Sequence, residues 1–156
     1  MDNKAILISI KPKWCALIMS GAKTVEVRRN APNKVRPPFK CYIYCTKCTS
    51  KADDESICHS SGKVIGEFIC DDIEYILPED FICKEEGDRV LQGTCLTRKE
   101  IYGYLGLPRC SPDAPYKMCR SWHISSLKIY GQPKNLSDFS MTRAPQSWCY
   151  VKEKES

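Results

Sequence analysis

The sequence predicts an α+β fold, a small mixed β-barrel of about six strands with two or three short helices packed beside it. Strand-like runs rich in β-branched and aromatic residues recur along the 156 residues. Most of them follow one another without a long crossover helix, which argues against a doubly wound sheet. No repeat and no linker separates two cores, so residues 1–156 are expected to form a single domain, long enough to bury a core without covalent staples.

The elements follow in order. Ala5-Ile6-Leu7-Ile8-Ser9-Ile10 is short and aliphatic, which favours a buried strand. Trp14 to Met19 fits a short helix, with Pro12 in its first turn and Gly21 just past its end. A strand follows from Thr24, placing Val25 and Val27 on one face and Glu26 and Arg28 on the other. Pro37-Pro38 leads into Lys40 to Thr46, where Cys41, Ile43 and Cys45 alternate with Tyr42 and Tyr44.

Residues 47–62 are polar, lack apolar periodicity and read as a loop insertion. Lys63 to Cys70 is the strongest strand signal, with Gly66 as a bulge or a point of close approach, and it continues towards Ile73 and Tyr75. The acidic stretch Pro78 to Asp88 reads as exposed loop. Thr97-Arg98-Lys99-Glu100 has capping-box spacing, and Gly106 is placed to stop the helix it opens. Met118 to Tyr130 forms one long strand or two, Asn135 to Phe139 one helical turn, and Gln146 to Val151 a closing strand before the charged tail 151–156.

The net charge of +5 is unevenly placed. Residues 1–40 hold Lys4, Lys11, Lys13, Lys23, Arg28, Arg29, Lys34, Arg36 and Lys40 against Asp2 and Glu26, a net +7, so the remainder sums to −2. A basic first quarter on a near-neutral body suits a phosphate-bearing partner. No run approaches the roughly 20 apolar residues of a membrane span, and no secretory signal pattern opens the chain, so a cytoplasmic protein without a membrane partner is expected. Eleven cysteines in such a chain read as reduced, buried thiols.

Cys45 and Cys48 make a C-x2-C pair, and Cys58-His59 follow in the same polar loop, so these four residues are a zinc candidate. Cys58 and His59 are adjacent, however, and no second C-x2-C pair exists, so ordinary thiols and no metal are expected first. His123, between Trp122 and Ile124, reads as a core or pocket-wall residue rather than a general base. No nucleophile elbow, phosphate loop or dinucleotide fingerprint is present, and no cofactor is expected.

Lys23, Thr24, Glu26 and Arg28 remain. A lysine beside a carboxylate, in a partly enclosed pocket, acts as a base once its pKa falls, with a hydroxyl as nucleophile and an arginine holding an anion. The same residues equally clamp a phosphate and a base edge without chemistry. Trp14, Tyr42, Tyr44, Trp122 and Trp148 offer stacking planes for nucleobases, against the plainer alternative that each packs in the core.

The run Ile10-Lys11-Pro12-Lys13-Trp14, with Gly21-Ala22-Lys23-Thr24-Val25-Glu26-Val27-Arg28, resembles the G-x-K-x-x-E-x-R motif of ASCH domains, members of the PUA-like superfamily. Gly62 to Phe68, Trp122 to Ser125 and Arg143 to Tyr150 resemble a phage- and prophage-associated branch of that family. The resemblance implies a PUA-like barrel with a cleft between helix and barrel, and RNA or nucleotide-like ligands. It also implies possible enzymes, since one ASCH-like group hydrolyses acetylated cytidine and ribonuclease activity is known in others. The amidohydrolase group carries a catalytic threonine three residues after the motif lysine, where this chain has Glu26. Thr24 instead follows Lys23 directly and, on a strand, faces away from it. Glu67 is a loose match to the later-strand carboxylate.

The leading expectation is therefore a module binding RNA, a nucleotide or a modified nucleoside through Lys11, Trp14, Lys23, Glu26, Arg28, Tyr44, Trp122 and Trp148. Arg28 and Lys11 would hold phosphate or ribose oxygens, Glu26 would accept from an exocyclic amine or orient Lys23, and Trp14 or Tyr44 would stack. A hydrolase of acylated nucleobases or RNA phosphodiesters, using Lys23, Thr24 and Glu67, is the enzymatic alternative. A phage-encoded protein that captures a signalling nucleotide or a host protein is the third.

Overall fold

A computed structural model of the chain describes residues 3–48, 60–108, 113 and 117–155. It contains six strands: β1 (Lys4–Ile10), β2 (Val25–Arg28), β3 (Phe39–Cys45), β4 (Lys63–Ile76), β5 (Cys119–Lys134) and β6 (Trp148–Lys152). Among the described residues three α-helices accompany them: α1 (Pro12–Met19), α2 (Lys84–Leu91) and α3 (Arg98–Leu105). Short 3-10 turns lie at Pro78–Phe81 and Leu136–Phe139. The strands form one sheet in the order β2-β5-β4-β3-β1-β6. Among the described residues only β1 and β3 pair in parallel and the other pairings are antiparallel, which makes the sheet mixed.

The sheet curls without closing its backbone ladder, and side chains from its two edges meet across the seam. Arg28 of β2 donates through Nη2 to the Ser9 carbonyl of β1 at 2.6 Å and through Nη1 to Ser147 Oγ, just before β6, at 3.2 Å. The Tyr150 hydroxyl of β6 accepts the backbone N–H of Asn33 and of Lys34 at 2.9 and 3.0 Å. Side-chain hydrogen bonds thus take the place of the missing strand pair.

Period-2 alternation sorts the core. Cys41, Ile43 and Cys45 of β3 pack with Ile6, Ile8, Ile10, Phe68 and Trp122 on the face that α1 covers with Cys15 and Ile18. Tyr42 and Tyr44 pack on the opposite face with Leu7, Val64 and Phe139. A third cluster, Val27, Ile76, Ile101, Leu105 and Cys119, lies beneath α3. Burial raises the pKa of Cys41, Cys70 and Cys119, Cys70 to about 12, so these thiols stay protonated and act as small apolar groups.

Gly66 occupies a point of close approach: a Cβ there would sit 2.6 Å from the Lys128 carbonyl, and the β4–β5 register shifts beside it. Thr97 caps α3, with its side chain accepting from Glu100 N, and Gly106 ends the helix at φ +69°. Met118 to Tyr130 resolves into one strand, β5, that runs on to Lys134.

The stretch 78–88 departs from the expected loop, because a 3-10 turn and the first half of α2 occupy it. Helix α2 shows no apolar stripe in sequence; Val90 and Leu91 at its end pack on the third core cluster, and its exposed side chains form ion pairs. Lys84 pairs with Asp88 at 2.7 Å, Arg89 with Glu86 at 2.6 Å, and Arg98 of α3 with Asp88 at 2.6 Å. No helix among the described residues is long and apolar enough to cross a membrane.

Candidate functional site

Helix α1 and the segment after it bring the site together. Pro12 opens α1, and Gly21, at φ +83°, turns the chain so that Lys23 precedes β2. Pairing with β5 fixes the strand, with Glu26 opposite Trp122 and Arg28 opposite Arg120. Val27 then faces the third core cluster, while Glu26 and Arg28 face the other way.

The result is a buried relay of charge. Lys23 is 3% exposed and Glu26 5%. Lys23 Nζ donates to the Thr94 carbonyl at 2.5 Å and lies 3.6 Å from Glu26 Oε2 and 4.9 Å from the centre of the Trp14 ring. Glu26 Oε1 accepts from Arg28 Nε at 3.0 Å, whereas Oε2 accepts no hydrogen bond. Burial lowers the Lys23 pKa, and the Glu26 carboxylate opposes that shift.

This group opens onto a cleft of about 490 Å³ lined by Ser9, Lys11, Trp14, Glu26, Val27, Arg28, Arg29, Asn30, Thr46, Tyr104, Gln146 and Ser147. Sharing Trp14, Glu26, Val27 and Tyr104 with it, a hollow of about 20 Å³ is also lined by Lys23 and Leu96. Of the residues singled out in the sequence, Lys11, Trp14, Lys23, Glu26 and Arg28 meet here. Lys11 is exposed on the cleft wall.

The other candidates stand elsewhere. Tyr44 is 6% exposed on the far face of the sheet, with Tyr42 and Phe139. Trp122 is fully buried, edge-on to Phe39 at 5.8 Å, and its Nε1 donates to the Asn30 carbonyl at 3.3 Å. It supports Glu26 from its own strand without lining the cleft. Trp148 packs on the core between Trp122 and Tyr150.

Thr24 is exposed beside Gly93, and Glu67 lies on the Tyr42 face, accepting from the Tyr130 hydroxyl at 2.8 Å. The structure therefore does not bring Thr24 or Glu67 into the cleft with Lys23. His123 is half-exposed and paired with Asp71, so it is neither core nor pocket wall.

Of the zinc candidates, Cys45 is buried in the core and Cys48 partly buried, while Cys58 and His59 lie outside the described residues. Among the described residues, no three metal-binding side chains cluster.

Sequence reasoning missed Thr94, Leu96 and Tyr104, all from the α2–α3 region. Tyr104 has the spacing of the apolar side of α3, yet it is 40% exposed at the cleft, where Arg29 donates to its carbonyl at 3.1 Å. Nothing local marks Thr94, whose contribution is a backbone carbonyl.

Solved structures share this arrangement of elements. The ASCH protein of Zymomonas mobilis superposes with a TM-score of 0.67 at 19% identity, over 96% of this chain and 88% of that one. A tyrosine-to-phenylalanine variant of it gives 0.66 at 19% identity, over 97% and 92%. A serine-to-alanine variant gives 0.67 at 19%, over 97% and 91%. No curated protein sequence gives a significant match. Residues 8–124 match the ASCH domain, a span that starts within β1, contains the whole Lys23–Glu26–Arg28 group and ends in β5, so the chain belongs to the ASCH domain family.

Proposed function

We propose that this ASCH module binds a nucleotide, free or within single-stranded RNA, in the cleft between α1 and the sheet. The observation that carries the reading is the make-up of the 490 Å³ cleft, which sets the cations Lys11, Arg28 and Arg29 and the aromatics Trp14 and Tyr104 around one buried carboxylate. Cations suit phosphate oxygens, aromatic planes suit unpaired bases, and a carboxylate suits a base N–H. ASCH domains as a class are associated with RNA, which agrees with this reading.

The roles divide by burial. Lys11 is free to follow a phosphate, whereas Arg28 spends its donors on Glu26, Ser9 and Ser147 and acts chiefly by holding the cleft wall. A hydrolase built on Lys23, Thr24 and Glu67 finds less support, because those three side chains do not converge. Placement in a phage-associated branch rests on the segments at 62–68, 122–125 and 143–150 alone.

The test is a fluorescence titration of short single-stranded RNAs across a salt series. Lys11→Ala is expected to weaken binding uniformly across sequences and to reduce the salt slope by about one. An unchanged affinity and slope would remove the cleft from the reading.

A further inference from the structure

One row of side chains leads away from the cleft across three strands. Arg28 of β2 stands opposite Arg120 of β5, and Arg120 stands opposite Tyr75 of β4. Residues opposite one another in antiparallel strands project from the same face of the sheet. Arg28 lines the cleft, whereas Arg120 and Tyr75 lie outside its lining. Neighbouring strands are about 4.8 Å apart, so the backbone that carries Tyr75 runs about 10 Å from the one that carries Arg28.

The middle of this row lacks a counter-charge. Like charges directly opposite on a ladder repel. Arg28 is offset by Glu26 at 3.0 Å, but Arg120 pairs with no carboxylate among the described residues. Glu74, the nearest acid along β4, projects from the other face of the strand, where it lies 4.0 Å from Arg89. The Arg120 guanidinium sits over the Tyr75 ring instead, 3.9 Å from its centre. Its Nη1 is enclosed and donates to nothing. An arginine has five N–H donors, two of them on Nη1. The three on Nε and Nη2 are also unclaimed by any described residue, and Arg120 as a whole is only half-buried, so a ligand meets those three rather than Nη1.

Tyr75 is 60% exposed. Arg120 covers one face of its ring, which leaves the other to solvent. The row is also close to the basic rim of the cleft. Burial raises the Cys119 pKa, and Arg29 and Arg120 both oppose that rise, so the two guanidinia lie near one thiol, and Arg29 lines the cleft. A bare aromatic face beside unpaired N–H donors suits the repeating parts of a single-stranded nucleic acid, a base and a phosphate.

We propose that Tyr75 and Arg120 form a second subsite, outside the cleft, for the nucleotide next to the one the cleft holds: Tyr75 stacks its base and Arg120 takes the phosphate that joins the two. The subsite rests on the nucleotide-binding reading and deepens it, because a free mononucleotide fills the cleft alone whereas single-stranded RNA fills both places.

Calorimetric titration of the whole chain with the four 5′-mononucleotides and with a random-sequence single-stranded RNA hexamer tests it. The hexamer is expected to bind at least about tenfold more tightly than the best mononucleotide. Tyr75→Ala is expected to weaken the hexamer about fivefold or more and to leave the mononucleotides within about twofold. Tyr75→Phe keeps the ring and should hold the hexamer within about twofold of the wild type. Arg120→Ala should lower the salt slope for the hexamer by about 0.7 and leave that for the mononucleotides unchanged. Because Tyr75 is exposed, its variants are compatible with folding should Arg120→Ala fail to fold.

Equal affinity for the hexamer and the best mononucleotide overturns the second subsite and leaves the cleft reading standing. A Tyr75→Ala loss shared by the mononucleotides overturns the placement of this residue outside the cleft. Hexamer affinity unchanged in both Tyr75→Ala and Arg120→Ala overturns the assignment, and it is the result expected of a patch that faces a protein. Failure of the wild type to bind any of the probes removes both the subsite and the reading beneath it.

Discussion

Lys23 Nζ and Glu26 Oε2 lie 3.6 Å apart with their side chains 2% and 7% exposed, so each helps compensate the other for leaving water, alongside Arg28 on Glu26 and the Thr94 carbonyl on Lys23. Removing one partner strands the other as a buried charge, which costs about 3 to 5 kcal/mol. Glu26→Gln strands a lysine that has only Thr94 O and the Trp14 ring left as partners. Lys23→Met leaves Glu26 with Arg28 and is expected to cost less. The double variant should lose less stability than the two single losses combined. Denaturant unfolding of the four proteins measures this coupling, and strict additivity would show that the pair does not act as a unit.

Arg28 joins the two open edges of the sheet. It reaches Glu26 Oε1 at 3.0 Å, Ser9 O at 2.6 Å and Ser147 Oγ at 3.2 Å, and its side chain is 16% exposed. Arg28→Ala should destabilise the fold by about 2 to 4 kcal/mol and accelerate amide exchange in β6. Arg28→Lys should recover little of this, because one ammonium cannot span three acceptors arranged around a planar fork. Lys11→Ala, on the exposed wall, should leave stability within about 0.5 kcal/mol while weakening binding. That contrast separates an arginine that builds the cleft from a lysine that serves the ligand.

Most of the sheet was legible because alternation is a local signal. Cys41, Ile43 and Cys45 against Tyr42 and Tyr44 distinguish the two faces of β3 by residue type alone. The same alternation puts Glu26 and Arg28 on one face, whereas Lys23 joins them because it lies in the turn before β2, where strand parity does not apply. Helix α2 was not legible, since only Val90 and Leu91 at its end reach the core, too few to show a stripe, and the rest of its side chains are polar and pair on the surface. Tyr44, Trp122 and Thr94 show a different limit. Aromatic residue type does not reveal whether a ring lines a cleft or fills the core, and a carbonyl that receives a lysine 71 positions away leaves no trace in sequence.

Burial lowers the Lys23 pKa below its usual 10.5, so between the folded value and 10.5 the unfolded chain binds more protons than the folded one. Stability attributable to this residue therefore rises with pH through that window, and below the folded value its contribution is constant. Tyr42 and Tyr130 act in the opposite sense in alkali, because burial raises both, so the raw profile mixes the effects. The difference between wild type and Lys23→Met isolates the lysine. Unfolding free energies measured from neutral pH to about pH 10.5 should show the wild type gaining on the variant as pH rises. A flat difference would mean that Lys23 titrates as an ordinary exposed lysine.

Gly93 is where the α2–α3 region meets the site. Its φ of +78° suits glycine, and its carbonyl accepts the backbone N–H of Thr24 at 2.8 Å and of Val25 at 3.0 Å. A Cβ there would run into Thr24 Oγ1. The next residue, Thr94, supplies the carbonyl that receives Lys23. Gly93→Ala therefore combines left-handed backbone strain with a displaced Thr24, a cost of about 1 to 3 kcal/mol. It should also weaken nucleotide binding, since shifting Thr94 loosens Lys23. Thr24→Ala removes the steric obstacle but touches neither backbone hydrogen bond. Alone it should leave stability and binding nearly unchanged, and combined with Gly93→Ala it should recover the steric part of the loss while the backbone strain remains. Thermal unfolding and titration of the three variants would read these outcomes. Loss of binding in Thr24→Ala at unchanged stability would instead return the threonine hydroxyl to the functional site, on the opposite side of β2 from where the packing against Gly93 now holds it.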